Sequence, residues 1–528
     1  MTEFDVIVVG AGAAGAAVTW RLSKEGIKVA FLERGPWMKP EEYPTTKHNW
    51  EILKAGAFSS LPANRQSQYD YPINDQDSPI AICNFNAVGG STILYSGHFP
   101  RFRPRDFKQQ TMDGIGEDWP ITYDDLQPFY DVNEREMGVS GLVGDPAYPE
   151  INELLPPVPI GQSGRILAEA FNKLNWHWWP SYSAISTRQL NGRNACINLG
   201  PCNTGCPQQA KSSADVTYMS RAKKHHAKII TEAAVSRILT KGNMAVGVEY
   251  FDAAGNKKHV LAEKIILAAS AVGTPRILLN SKSEDAPNGL ANENDQVGRN
   301  LMIHPLGIVD GVFDYDLDAD IGPQGCMIYS LQHYRNPMAD HKLGYMMHAL
   351  RGGGPLEAAR MAWLRKRLRF GKDLLSDFDV FYKRQMAISI ICEDLPEAKN
   401  RIYLDHNVAD QYGVSGVKVE YKLHENTKAV MLAGMANARK IMITAGSKKT
   451  FAYGPVRDTG WHTMGTCRMG SDPKTSVVNK FGEVHGVSNL YITDSSVFTS
   501  GSCVNPANTV QAVALYLANN IVKQFKAA

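Results

Sequence analysis

The feature that most constrains this chain lies within its first fifteen residues, where an apolar strand leads directly into a glycine-rich turn. The segment reads FDVIVVGAGAAG, and its glycines are Gly10, Gly12 and Gly15. In a βαβ unit the first glycine makes the tight turn, the second lets the backbone approach a pyrophosphate, and the third lets the helix pack closely on the strand. The phosphate then lies at the helix N-terminus, where unpaired backbone amides point at it. The strand is continuously apolar, as a buried parallel strand should be.

An acidic residue follows at the spacing that such a site needs. Residues 29–32 are predicted to form the second strand, and Glu33 comes directly after it. This places a carboxylate about 20 residues beyond the glycines, where it accepts hydrogen bonds from a ribose and disfavours a 2′-phosphate. Ala13 and Ala14 of the turn and the neighbouring Arg34 complete the expected contacts. We therefore predict a dinucleotide site that does not take NADP; a purely structural glycine turn is the alternative.

Composition excludes several classes of protein. The chain has 528 residues, of which 44% are hydrophobic, and a formal net charge of +3. It is long enough for at least two lobes, and its charge shows no nucleic-acid footprint. No run approaches 18 apolar residues, so no transmembrane segment is expected. The first strand begins too close to Met1 for a signal peptide, which predicts a cytoplasmic protein, with export on a partner subunit as the alternative.

Three further segments are dense in motifs. They are a second glycine turn, VGGST, at 88–92; the run IILAASAVGTPRILL at 265–279; and residues 461–508, which contain HTMGTCRMG, NLYITD and an Asn-Pro pair. Helices are predicted over 123–137 and 509–523. Together with the first turn, these segments resemble the glucose–methanol–choline (GMC) flavoprotein oxidoreductases, most closely the gluconate dehydrogenase and pyranose oxidase branch. The resemblance covers both ends of the chain well and the middle loosely.

The resemblance implies an α/β fold, α+β overall, with a Rossmann-like FAD-binding domain and a substrate-binding domain built on an antiparallel sheet with helices. We expect the FAD-binding domain to comprise residues 1–35, 80–110, 225–304 and 456–528. The substrate-binding domain, with cap or lid insertions, is expected over 111–224 and 305–455. The positions that match the family's cofactor contacts are Gly89, Gly90, Ser91, Thr92, Val235, Ala269, Ser270, Asp494, Asn505 and Pro506.

Two features of the sequence refine the expected cofactor site. Ile93, Leu94 and Tyr95 follow the second glycine turn, where some relatives carry a histidine bonded covalently to the flavin. We therefore expect FAD to be held non-covalently, with His98 as the only nearby substitute for that link. His304, which precedes a proline, is expected to close over the flavin pyrophosphate.

His462 and Asn505 match the family's catalytic His/Asn pair; a structural histidine and a helix N-cap are the alternative interpretations. Alcohol oxidation needs a base for the hydroxyl proton while hydride leaves carbon for flavin N5. Histidine suits this role because its ordinary pKa, about 6.5, lies near working pH. An amide side chain can hold the substrate oxygen without competing for the proton.

The expected reaction is FAD-dependent oxidation of an alcohol CH–OH group, on a sugar or glycoside, to a carbonyl. The alternatives are a sterol, aromatic or aliphatic alcohol as substrate, and a flavoprotein electron-transfer subunit of a membrane dehydrogenase complex. The electron acceptor stays open between oxygen, a quinone and a redox protein. A small partner subunit or a homo-oligomer also stays open.

Three closely spaced cysteines form a separate motif. Cys196, Cys202 and Cys206 are followed by a proline, a pattern similar to iron–sulfur ligation. A disulfide or a zinc site are further alternatives, although zinc prefers four ligands. The next residues, 208–213, read QQAKSS, as in relatives that have no cluster. We therefore predict structural thiols and no metal.

Overall fold

The computed structural model describes residues 3–335, 338–364, 366 and 368–527. Its strands are β1 (Phe4–Val9), β2 (Val29–Leu32), β3 (Ile73–Asn74), β4 (Trp179–Pro180), β5 (Lys228–Ile230), β6 (Ala234–Lys241), β7 (Met244–Phe251), β8 (Lys257–Leu267), β9 (Leu306–Val312), β10 (Ile328–Ser330), β11 (Tyr345–Leu350), β12 (Gln385–Cys392), β13 (Arg401–Ala409), β14 (Ser415–Glu420), β15 (Lys449–Tyr453) and β16 (Leu490–Ile492). Its α-helices are α1 (Ala13–Lys24), α2 (Trp50–Ala55), α3 (Pro62–Arg65), α4 (Gln109–Asp113), α5 (Tyr123–Met137), α6 (Gly161–Lys173), α7 (Ser220–Lys224), α8 (Ser270–Asn280), α9 (Pro355–Leu364), α10 (Leu374–Tyr382), α11 (Glu425–Thr444) and α12 (Ala507–Ala527).

The first sheet has the order β5-β2-β1-β8-β7-β6, and β16 also pairs with β8. The pairs among β5, β2, β1, β8 and β16 are parallel, whereas β6, β7 and the first part of β8 form an antiparallel meander. Val6, Ile7 and Val8 of β1 are fully buried, because helices cover this parallel region. The carboxyl ends of the parallel strands therefore meet at one edge, as in other nucleotide-binding sheets.

The second sheet is antiparallel and has the order β15-β9-β12-β11-β10-β4. One face packs against α6 and α11 through a core that includes Val309, Ile388 and Ile390. Because side chains alternate across a strand, the residues between these positions face the opposite way. That second face forms one wall of a cavity that is described below.

The smaller third sheet has the order β13-β14-β3. The first sheet takes its strands from residues 4–32, 228–267 and 490–492, and the second takes its strands from 179–180, 306–392 and 449–453. Helix α5, from the part expected to bind substrate, packs on α12, where the Tyr130 hydroxyl lies 2.8 Å from Thr509 Oγ1. We keep the two-domain division given above as a proposal.

Among the described helices, none combines the length and apolar character needed to cross a membrane.

Candidate active site

A cavity of about 1050 Å³ lies between the edge of the first sheet and the free face of the second. Ligand pockets for single small molecules measure roughly 300–1,000 Å³, so this space is large enough for a dinucleotide together with a small substrate. The predicted site residues that line it are Gly10, Gly12, Ala13, Ala14, Glu33, Arg34, Gly90, Ser91, Thr92, Val235, Ala269, Ser270, His462, Asp494, Asn505 and Pro506. Gly15 and Gly89 lie behind this lining, where they support the two turns.

The three glycines of the first turn are needed for different reasons. Gly10 has φ +100°, and a Cβ there would lie 2.5 Å from the carbonyl oxygen of Ala268. A Cβ on Gly15 would lie 1.9 Å from the carbonyl oxygen of Gly10, so the packing of α1 on the turn requires glycine. At Gly12 an added Cβ would meet no protein atom within 4 Å, because it would point into the cavity. The open space at Gly12 fits a pyrophosphate at the N-terminus of α1.

Glu33 is held at the end of β2 by backbone amides. Its Oε2 accepts a hydrogen bond from Ala11 N at 2.7 Å, and its Oε1 accepts one from Gly35 N at 2.9 Å. Burial raises the pKa of Glu33 to about 7, although these amides and Arg34 favour the ionised form. Each carboxylate oxygen keeps a second lone pair, and Glu33 lines the cavity, so the carboxylate can also accept from ribose hydroxyls.

Asp494 connects the last motif to the first sheet. It follows β16, and its Oδ2 accepts a hydrogen bond from Ser270 N at 3.0 Å at the start of α8, while Oδ1 accepts one from Ser496 N. Burial raises the pKa of Asp494, and the hydrogen bonds oppose that shift. In the second glycine turn, Thr92 Oγ1 donates to Gly89 O and accepts from Ala214 N, so its hydroxyl stabilises the turn. Four distant segments thus meet around one cavity.

The predicted catalytic pair lies together at the end of this cavity. Asn505 Nδ2 is 3.3 Å from His462 Nε2, and the Oδ1 of Asn505 is buried without a partner among the described residues. On the far side of the ring, His462 Nδ1 is 3.1 Å from His304 Nδ1. His304 Nε2 is in turn 2.9 Å from the carbonyl oxygen of Gly501.

These contacts fix the tautomers of both rings. A carbonyl oxygen can only accept, so His304 carries its proton on Nε2 and its Nδ1 is an acceptor. His462 must then donate from Nδ1, which leaves its Nε2 without a proton. This tautomer is compatible with the Asn505 amide, whose Nδ2 donates to that same nitrogen. The arrangement therefore places an unprotonated imidazole nitrogen, which accepts from the Asn505 amide, at the cavity.

The expectation that His304 closes over a pyrophosphate stays a prediction, and the contacts of this side chain are with His462 and Gly501. His304 is fully buried beside His462 and does not line the cavity. Burial lowers the pKa of His304 to about 4, and burial together with His304 and His348 holds the pKa of His462 well below its ordinary value. Both rings are therefore neutral at physiological pH.

Two more histidines, His98 and His348, line the cavity and were not assigned a role in substrate binding from the sequence. Their rings stack with centroids 4.2 Å apart. Burial lowers the pKa of His348 to about 4 and that of His98 well below its ordinary value. His348 lies within β11, whose sequence YMMHAL is otherwise apolar, so the strand pattern gives no signal of a functional residue.

All three clustered cysteines are unpaired, and none lines the cavity. In the part of the chain that the structure describes, no three His, Cys, Asp or Glu side chains are arranged to hold a metal ion. The buried Lys211 donates from Nζ to the carbonyl oxygens of Ile93, Tyr95 and Cys202 at 2.6, 2.9 and 2.6 Å. This ammonium group ties the cysteine loop to the segment that follows the second glycine turn.

Comparison with known proteins agrees with this architecture. Residues 4–306 and 396–514 match the N- and C-terminal family models described as GMC oxidoreductase. The chain is 36% identical to 2-methyl-1,2-propanediol dehydrogenase of Mycolicibacterium austroafricanum (99% of this chain, 96% of that protein) and 27% identical to the fructose dehydrogenase large subunit of Gluconobacter japonicus (99% and 98%). The crystal structure of pyridoxine 4-oxidase from Mesorbium loti superposes with a TM-score of 0.70 at 17% identity, over 98% of this chain and 99% of that one. The chain therefore belongs to the GMC oxidoreductase family of FAD-binding enzymes that act on alcohol groups.

Proposed function

We propose that this enzyme oxidises a CH–OH group to a carbonyl, with His462 as the base and Asn505 as the group that holds the substrate oxygen. The observation that carries the proposal is the unprotonated Nε2 of His462, which faces the cavity beside the Asn505 amide. Bound FAD would supply the hydride acceptor, and the open cradle at Gly12, the carboxylate of Glu33 and the Asp494–Ser270 contact fit that cofactor.

The roles of the side chains follow from their hydrogen bonds. In the absence of substrate, Asn505 Nδ2 donates to His462 Nε2; a bound alcohol would insert its hydroxyl between them. The amide then donates to the substrate oxygen, while the hydroxyl proton points at Nε2 and passes to it as the carbonyl forms. The positive charge that appears on His462 is stabilised through its Nδ1–H bond to His304, much as a carboxylate supports the histidine of a hydrolase triad.

We further propose that the donor is a small alcohol with more than one polar group, a sugar or glycoside included. Two relatives are named for donors of this kind, and both names favour the proposal. They are 2-methyl-1,2-propanediol dehydrogenase and the fructose dehydrogenase large subunit. FAD is proposed to be bound non-covalently, since Ile93, Leu94 and Tyr95 follow the second glycine turn.

The proposed function is tested by mixing the anaerobic holoenzyme with sugars, glycosides, diols and simple alcohols. Bleaching of the oxidised flavin absorbance identifies a donor, and admission of air then reports whether oxygen restores the colour. A purified holoenzyme that keeps its flavin oxidised with every donor class would contradict the proposal. Addition of a chemical reductant controls for a flavin that is inaccessible or damaged.

Replacement of His304 tests the tautomer argument. His304→Leu removes the acceptor for His462 Nδ1–H, so we expect flavin reduction to slow by about 10- to 1,000-fold, because the base is then no longer held in its productive tautomer. His304→Asn can present its side-chain oxygen to the same proton and should recover part of the rate. Flavin content and thermal stability serve as controls, and equal rates in the Leu variant and the parent would refute the assignment.

A further inference from the structure

The wall of the cavity opposite the cofactor cradle is apolar except at one place. It is the free face of the second sheet, and its cavity-lining residues are Leu306, Ile308, Leu350, Ile391, Tyr453, His348 and Ser389. His348 pairs across the sheet with Ser389, which in turn pairs with Ile308, so these side chains form one row. A polar pair therefore interrupts a hydrophobic surface that faces the proposed base.

One ring nitrogen of His348 donates a hydrogen bond within the protein, and the other has no hydrogen-bond partner among the described residues. Nε2 lies 2.6 Å from the carbonyl oxygen of Gly325, which can only accept, so Nε2 carries the proton and Nδ1 is an acceptor. Nδ1 has no hydrogen-bond partner among the residues described, and it remains accessible, unlike the sealed ring nitrogens of His98. The side chain is only 3% exposed, and its ring is stacked on His98, so the direction of the lone pair is fixed.

An acceptor nitrogen that opens on a cavity takes its hydrogen bond from cavity water or from a ligand group that replaces that water. The hydroxyl of Ser389 does not fill this role, because it donates to the backbone oxygen of His348 at 3.2 Å. Neither does His462, whose Nε2 and Nδ1 are engaged by Asn505 and His304. The donor must therefore come from a molecule in the cavity.

We propose that His348 Nδ1 accepts a hydrogen bond from a second hydroxyl of the alcohol substrate, which makes the enzyme selective for diols and polyols over monohydric alcohols. This inference rests on the proposed function, since His462 and Asn505 are taken to hold the hydroxyl that is oxidised. The surrounding Ile308 and Ile391 then contact the hydrocarbon part of the donor. Sites built to bond a hydroxyl reject analogues that lack it, because the protein group is left unpaired.

The test measures binding and reduction separately. Holoenzyme whose flavin has been reduced beforehand cannot turn over, so its affinity for 1,2-propanediol, 1,3-propanediol and 1-propanol can be measured by calorimetry. We expect the better diol to bind at least about tenfold more tightly than 1-propanol, the effect of one hydrogen bond. In His348→Phe, which keeps a flat ring to stack on His98, this advantage should fall to about twofold or less.

Ser389→Ala is the matched control on the same wall, and it should keep the preference for the diol. Flavin content and visible spectrum verify that each variant is folded. Equal affinity for diol and monohydric alcohol in the parent, or an unchanged diol advantage in His348→Phe, would overturn the inference even if alcohols bleach the oxidised flavin. A diol advantage that depends on His348, with no bleaching by any alcohol, would instead support the binding site and refute the proposed function.

Discussion

His462→Ala is expected to bind FAD normally but to reduce it about 10²- to 10⁴-fold more slowly with any alcohol donor, because the acceptor nitrogen beside Asn505 is removed. This corresponds to about 3–5 kcal/mol of lost transition-state stabilisation. Asn505 remains in place in this variant and can still hold the substrate oxygen. The measurement is the rate of flavin bleaching in an anaerobic stopped-flow experiment with saturating donor.

The pH dependence of the parent provides a second check on the same residue. Burial and the neighbouring histidines hold the pKa of His462 well below its ordinary value, so the base stays unprotonated at neutral pH. The reduction rate of the parent should therefore stay level as pH falls from 8 to about 6.5, where an ordinary histidine would already be half protonated.

A His462→Ala variant that is reduced as fast as the parent, with the same flavin content, would show that another group takes the proton.

Gly12→Ala is expected to fold like the parent but to lose most of its FAD. The added methyl group meets no protein atom within 4 Å, so the apoprotein has no new clash to accommodate. It would instead occupy the space where the pyrophosphate approaches the backbone, and an affinity loss of about 100-fold or more is expected from such an overlap. Flavin content after purification and titration of the apoprotein with FAD measure the effect.

The matched control is Gly15→Ala, in the same turn. Its methyl group would lie 1.9 Å from the carbonyl oxygen of Gly10, so this variant should lower the thermal stability of the apoprotein as well as its FAD content. If Gly12→Ala retained parental FAD affinity, the pyrophosphate would not lie at this turn. If it lowered apoprotein stability as much as Gly15→Ala, the effect would be on folding and not on the cofactor.

The parts of the fold that depend on local pattern could be predicted from the sequence. The β1–α1–β2 unit follows from a continuous apolar strand, a glycine turn and a second apolar run, all within 35 residues. The helix predicted over 123–137 is confirmed as α5 with the same bounds. The helix predicted over 509–523 is α12, which extends further at both ends because Ala507 and the last turn also pack on the core.

The site was less accessible to sequence reasoning because it is assembled from distant segments. The resemblance placed His462 and Asn505 in the site, but it gave no reason to place His304 beside them, because that contact joins two segments 158 residues apart in the chain. His348 and Ser389 lie on different strands, and only the pairing of β11 with β12 makes them neighbours. Side chains alternate between the two faces of a strand, so this pairing puts His348 and Ser389 on the same face of the sheet. That face could be identified as the cavity wall only once α6 and α11 were known to cover the other one.

The hydrogen-bonded chain from Asn505 through the rings of His462 and His304 ends at the carbonyl oxygen of Gly501. This end point has a consequence for turnover. A peptide carbonyl has no proton to exchange, so the two imidazoles do not form a proton-transfer path to bulk solvent through this end. In the proposed mechanism, the proton that His462 gains would therefore leave from the cavity side of the ring, where the carbonyl product forms. Release of the product and deprotonation of the proposed base would then share one route, so we expect the two events to be coupled.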